Sequence, residues 1–167
     1  MENKNTHRKS SLAPLVVACV VLLAALVSVD VKADALNNNT QNSYGQELGC
    51  LAMNIYHEAR GETEKGKLAV AAVTINRVKN KHYPDNVCDV VWQRKQFSWT
   101  DLKVKYQIIK DQEAWVNAIE IAQLFLDGGD WSGVGQATHY HTLAVSPSWK
   151  DNDNLIAQVG NHLFYDL

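Results

Sequence analysis

The 167-residue chain has few of the features that would place it in the large nucleotide- or nucleic-acid-handling classes. It has no glycine-rich phosphate loop and no dinucleotide fingerprint. It has no long basic stripe, and its net charge of −2 gives no pull toward a polyanion, so nucleic acid is not an expected partner. Cysteine is scarce: three residues, of which Cys19 lies in an N-terminal apolar run, leaving the pair Cys50 and Cys88 in the body. A zinc-peptidase HExxH helix motif is also missing.

What is present begins with a leader. Residues 1–11 are polar and carry Lys4, Arg8 and Lys9, and Leu12 to Val29 is an uncharged run of 18 residues. Val31-Lys32-Ala33 follows as a small-x-Ala site. Basic, apolar and small-residue segments in that order read as a secretory signal over 1–33, with cleavage after Ala33. The run is also near the minimum for a membrane span, so a retained signal anchor over 12–29 is the second reading. Both put the body outside the cytoplasm, in the periplasm or cell envelope. Without residues 1–33 the chain keeps 12 basic against 16 acidic residues. Residues 34–45 are polar and aperiodic and read as a tether. In an oxidising compartment Cys50 and Cys88 are expected to pair.

The body, 46–167, is long enough for one core. Leu48, Leu51, Ala52, Ile55 and Ala59 recur at helical steps and predict a helix over 46–59. Glu58 follows Ile55 by three and Leu51 by seven, so it lies near the apolar face. A carboxylate at such a helix end is partly buried, which raises its pKa and suits it to general acid catalysis. Glu62, beyond Gly61, is expected to face solvent. The plain alternative makes both glutamates surface charges paired with Arg60. A second helix is predicted over 64–79 with Thr63 as N-cap. Asn76 and Arg77, near its end, could brace the loop carrying Glu58. A turn at Pro84 leads to a short helical segment at 87–92, and a third helix runs over 111–126, ended by Gly128-Gly129. Residues 103–110 are amphipathic but ambiguous. The period then changes: strands are predicted at 137–143, 157–159 and 162–165, the last two about Gly160-Asn161. Helices followed by a small antiparallel sheet make an α+β fold.

Residues 48–99, with the runs ATHYH (137–141), PSW (147–149) and GNHLFY (160–165), resemble the SleB-type cell wall hydrolases, the family of the spore cortex-lytic enzymes. The resemblance implies a lysozyme-like domain with a cleft between helices and sheet, and it puts the family's catalytic acid at Glu58. It implies cleavage of the β-linked bond from N-acetylmuramic acid to N-acetylglucosamine in peptidoglycan strands, without metal or cofactor. It favours a lytic transglycosylase, in which one glutamate suffices, over a hydrolytic muramidase or glucosaminidase that needs a second carboxylate. Gln96, Phe97, Ser98 and Trp99 match the family's QFSW run. They are read with Tyr140, His141 and Tyr165 as substrate-binding residues, the aromatic faces stacking on sugar rings. Bacterial wall-remodelling enzymes and phage endolysins share this chemistry, and a monomer is expected.

Two rival classes stand beside this reading. His139 and His141, two apart on a strand, could join His162 or His57 in a zinc site of a peptidoglycan amidase. A non-catalytic wall-binding module is the other, and a Glu at the acid position argues against it.

Overall fold

The computed structural model describes residues 40–100 and 109–167. Residues Ser43–Leu167 form one compact body. Of the stretch before it only 40–42 are described, and they are helical. The leader over 1–33 lies outside the described residues, as does the ambiguous segment at 103–110 except for its last two residues. Among the described residues no helix is long and apolar enough to cross a membrane.

Helix α1 runs through the described residues 40–59. Of the expected tether over 34–45, the described residues 40–45 are helical rather than aperiodic. Once Leu51, Ala52 and Ile55 are anchored in the core, each further residue adds one hydrogen bond to an existing helix, so polar residues can extend it. Tyr44 fixes the extension by donating its hydroxyl to Asp127 Oδ1 at 2.7 Å.

Helix α2 is Glu64–Lys79, and Thr63 caps it by accepting from the Gly66 amide at 3.3 Å. Its buried residues run without a break from Ala69 to Thr74. It is thus apolar nearly all round, which places it inside the body, packed by α3 (Val87–Val91) and α4 (Gln112–Leu126). Ala69, Ala71 and Ala72 supply the small surfaces that let these neighbours approach. Asn54 of α1 donates to Thr74 Oγ1 at 3.1 Å, a fully buried polar tie between the first two helices. The Cys50–Cys88 disulfide joins α1 to α3, as expected from the cysteine pair. Asp111 caps α4, and Gly128, at φ +91°, turns the chain out of it.

The sheet has order β1-β3-β2, with β1 at His139–Thr142, β2 at Leu155–Val159 and β3 at His162–Tyr165, all antiparallel neighbours. The helices-then-sheet order of an α+β domain is as the sequence predicts. Gly160, at φ +56°, makes the tight turn between β2 and β3. The register pairs His139 with Tyr165, Tyr140 with Phe164 and Thr142 with His162. Paired residues share a sheet face. Tyr140, Phe164 and His162 therefore face one way, and His139, His141 and Tyr165 the other. Phe164, fully buried, joins the helical core.

Candidate active site

Glu58 sits in the last turn of α1, one turn beyond fully buried Ile55 and two beyond fully buried Leu51. It is half-buried, and its partner comes from the sheet: Tyr140 donates its hydroxyl to Glu58 Oε2 at 3.2 Å. Neither glutamate pairs with Arg60, whose guanidinium lies over the Tyr56 ring at 5.2 Å. The surface-charge alternative is therefore not what forms.

Helix α2 sets the position of Tyr140. Arg77 Nε donates to the Thr138 carbonyl at 2.7 Å. Asn76 Nδ2 reaches the carbonyls of Gly135 at 2.9 Å and Ala137 at 3.0 Å. The pair expected to brace the acid's own loop instead holds the segment that leads into β1, and so acts on the tyrosine side. Arg77 is buried, lying over the rings of Tyr83 and Phe97 at 5.5 and 5.4 Å.

Burial pushes the Glu58 carboxyl above the usual carboxylate range, while the Tyr140 hydrogen bond and the Arg77 charge pull it partly back. Burial, and then the Glu58 charge, hold the Tyr140 hydroxyl well above its ordinary pKa, so it remains a donor. The site therefore keeps a carboxylic acid protonated to higher pH than water would, with a hydrogen bond and a cation ready for its charged form.

Glu62 departs from expectation. Its side chain is only 12% exposed rather than solvent-facing. It accepts from Asn161 Nδ2 at 3.1 Å and, more weakly, from the Asn161 amide at 3.4 Å. The β2–β3 turn folds over it, a contact between residues 99 positions apart that helical spacing around Glu62 cannot reveal. Asn161 is a functional-site neighbour that sequence reasoning missed, although it stands in the GNHLFY run.

The expected substrate residues divide. Phe97 and Trp99 are 3% and 4% exposed, so neither offers a free ring face to a sugar. Phe97 carries Arg77, and Trp99 stacks on His57 at 4.6 Å with Trp92 against its edge. The serine between them is exposed and Gln96 is half-buried. In this segment, aromatics spaced by two pack inward, which explains the spacing without a ligand. Tyr140 is brought to Glu58. His141 and Tyr165 lie on the opposite sheet face, buried, stacked on each other and joined from His141 Nε2 to the Tyr165 hydroxyl at 3.1 Å. Trp149, partly exposed, covers them and His139.

His139 and His141 share a face as predicted, but His162 faces the other way beside Tyr140, and His57 is taken up by Trp99. Burial lowers the pKa of His57, His139 and His162. Among the described residues no group of three His, Cys, Asp or Glu side chains is gathered to hold a metal ion.

A helix end presents one desolvated carboxylic acid to a small antiparallel sheet, and this α+β domain shares the lysozyme-like build of its structural neighbours. The sequence profile of the Cell Wall Hydrolase family matches residues 61–165, and the chain belongs to that family. Glu58 lies three positions before the matched stretch. A spore cortex-lytic enzyme of Oceanobacillus iheyensis is 30% identical over 130 residues, covering 75% of this chain and 44% of the relative. One from Bacillus cereus is 29% identical, over 75% of this chain and 47% of its own length. The chain thus matches somewhat under half the length of these curated relatives. Among solved structures, the catalytic domain of the Bacillus cereus SleB protein superposes with TM-score 0.56 at 26% identity, covering 72% of this chain and 89% of that one. The catalytic domain of the germination-specific lytic transglycosylase SleB from Bacillus anthracis gives the same score and identity over 93% of its length.

Proposed function

We propose that this chain cleaves peptidoglycan glycan strands between N-acetylmuramic acid and N-acetylglucosamine, as a lytic transglycosylase with Glu58 as its single catalytic carboxyl group. The observation that carries the reading is the desolvated Glu58 acid held by the Tyr140 hydroxyl. Glu58 gives its proton to the bridging oxygen as the bond to the muramic acid C1 breaks. The carboxylate left behind is stabilised by Tyr140 and by the Arg77 charge. It then takes the proton of the muramic acid 6-hydroxyl as that oxygen closes on C1. The glutamate is restored, no water is consumed, and the product ends in an anhydro ring.

A hydrolase of this kind requires a second carboxylate free to attack or to activate water. Glu62 is bound to the β2–β3 turn, and Asp151 is engaged in capping its own short 3-10 turn by accepting from the Asp153 amide. The single-acid route also accords with the name of the Bacillus anthracis neighbour. Gln96 and Ser98, beside the buried aromatics, remain the candidates of the QFSW run for contact with sugar hydroxyls. The basic-apolar leader and the Cys50–Cys88 bond support action in an oxidising compartment outside the cytoplasm, with the run at 12–29 as signal or anchor.

The test is Glu58→Gln on purified peptidoglycan sacculi. Removing the proton donor is expected to cut the release of soluble glycan by about 10²- to 10⁴-fold, the usual worth of a general acid, while sedimentation binding to sacculi persists. A Glu58→Gln protein that solubilises sacculi at the wild-type rate would refute the assignment.

A further inference from the structure

Glu62 occupies a socket made for it. Gly66, in the first turn of α2, stands where a Cβ would come within 2.8 Å of Glu62 Cβ. A Cβ on Gly160 would overlap Glu62 Oε2, and the left-handed backbone at Gly160 already disfavours a side chain there. Asn161 supplies two donors, and His162 Nδ1 lies 3.8 Å from Glu62 Oε1. Two close-approach glycines, an amide side chain and an imidazole thus surround one carboxylate, which is more than a surface glutamate after a helix needs.

The contacts continue from this socket to the acid. The His162 ring packs edge-on against Tyr140 with centroids 5.4 Å apart, and Tyr140 bonds Glu58. Glu62 is also covalently four residues from Glu58 across the α1–α2 turn. It therefore fixes the turn on one side and the Tyr140 ring on the other. We propose that Glu62 is a positioning residue that pins the α1–α2 turn to the β2–β3 turn and thereby seats the Glu58 carboxyl against Tyr140. It takes no part in proton transfer, because its oxygens face Asn161 and His162.

The titratable and charged groups that act in this assembly come from three elements. Tyr140 of β1 and Arg77 of α2 act on Glu58, and His162 of β3 faces Glu62, with His141 of β1 acting in turn on His162. Releasing Glu62 lets Tyr140 withdraw from Glu58. The charged form of Glu58 then loses a hydrogen bond, and its titration moves upward.

The inference rests on Glu58 being the acid, so the experiment has two readouts, one of which needs no substrate. Carbon-13 NMR titration of the Glu58 carboxyl is compared in the wild type, Glu62→Ala and Glu62→Gln, beside kcat and KM for release of soluble glycan. In Glu62→Ala, Glu58 should titrate at higher pH, and kcat should fall about 10- to 100-fold with KM little changed, the cost of a misplaced reacting group. Glu62→Gln keeps an acceptor for Asn161 and should recover most of both. A Glu62→Ala protein with wild-type Glu58 titration overturns the proposal. So does a Glu62→Gln protein as inactive as Glu58→Gln, which would make Glu62 a reacting carboxylate. Should Glu62→Ala not fold, Asn161→Ala removes the Nδ2 donor and must shift the Glu58 titration in the same direction for the proposal to stand. A wild-type protein that leaves glycan intact would refute the proposed function while the NMR comparison still decides the positioning role.

Discussion

Glu58 is kept at a cost to the folded state. Its folded pKa is raised, so in the pH range from the ordinary carboxylate value up to the raised one the folded protein holds a proton that the unfolded chain has released. Stability is full below that range and declines as pH rises through it. Glu58→Gln is neutral at every pH and avoids the decline. The variant is therefore predicted to melt at a higher temperature than the wild type at neutral pH, with the gap closing in acid. Thermal denaturation across pH measures this, and a gap that does not change with pH would contradict the account of Glu58 as a desolvated acid. The position of Glu58 was legible in the sequence, since its offset from Ile55 and Leu51 alone puts it at the edge of the apolar face. Its partner Tyr140 was named only through the family resemblance, as a substrate-binding residue, and its donation to Glu58 is a contact between sheet and helix that helical spacing cannot show. Glu62 was misread, because its environment is built by Gly160, Asn161 and His162, and local spacing carries no information on contacts that distant.

At the scale of elements, caps and periodicity performed well. Thr63, Asp111 and Gly128 mark helix ends by local chemistry, and the structure places them so. The strands about Gly160-Asn161 were legible for the same reason, since a glycine at positive φ specifies the turn. The helicity of residues 40–45 was not, because they have no apolar period of their own and become helical by propagation from the anchored part. The QFSW segment failed differently. Aromatics that pack inward and aromatics that stack on a sugar look alike in sequence, and only the burial of Phe97 and Trp99 separates them.

The disulfide is the element-level feature with the largest expected effect. It links α1, eight residues before Glu58, to α3 across 38 positions. By the loop-entropy model the Cys50→Ser/Cys88→Ser variant should lose about 3–4 kcal/mol of stability. The start of α3 is also held by the Val87 amide donating to Glu47 Oε2 at 2.6 Å, so the local geometry should survive in the molecules that remain folded. Denaturant unfolding of the oxidised wild type and the double variant tests this. Equal midpoints would show that the bond contributes nothing beyond contacts already present.

At the scale of the whole molecule, the helices supply the acid and the sheet supplies its hydrogen-bond donor. Arg77, Asn76 and the Glu62 socket fasten the two parts at separate points. This division explains why family likeness, rather than composition, pointed to function. Net charge and residue content describe an ordinary domain, whereas the proposed chemistry draws on Glu58 and Tyr140, 82 positions apart in the chain. The measurement that tests the central claim most directly is mass spectrometry of the fragments released from peptidoglycan sacculi by residues 34–167, beside the same protein with Glu58→Gln. The account predicts muropeptides lighter by one water and ending in anhydro-muramic acid, formed by the unmodified protein and absent with the variant. Fragments with full-mass reducing ends would contradict the single-acid mechanism, and cut peptide or amide bonds on intact glycan would contradict the function itself.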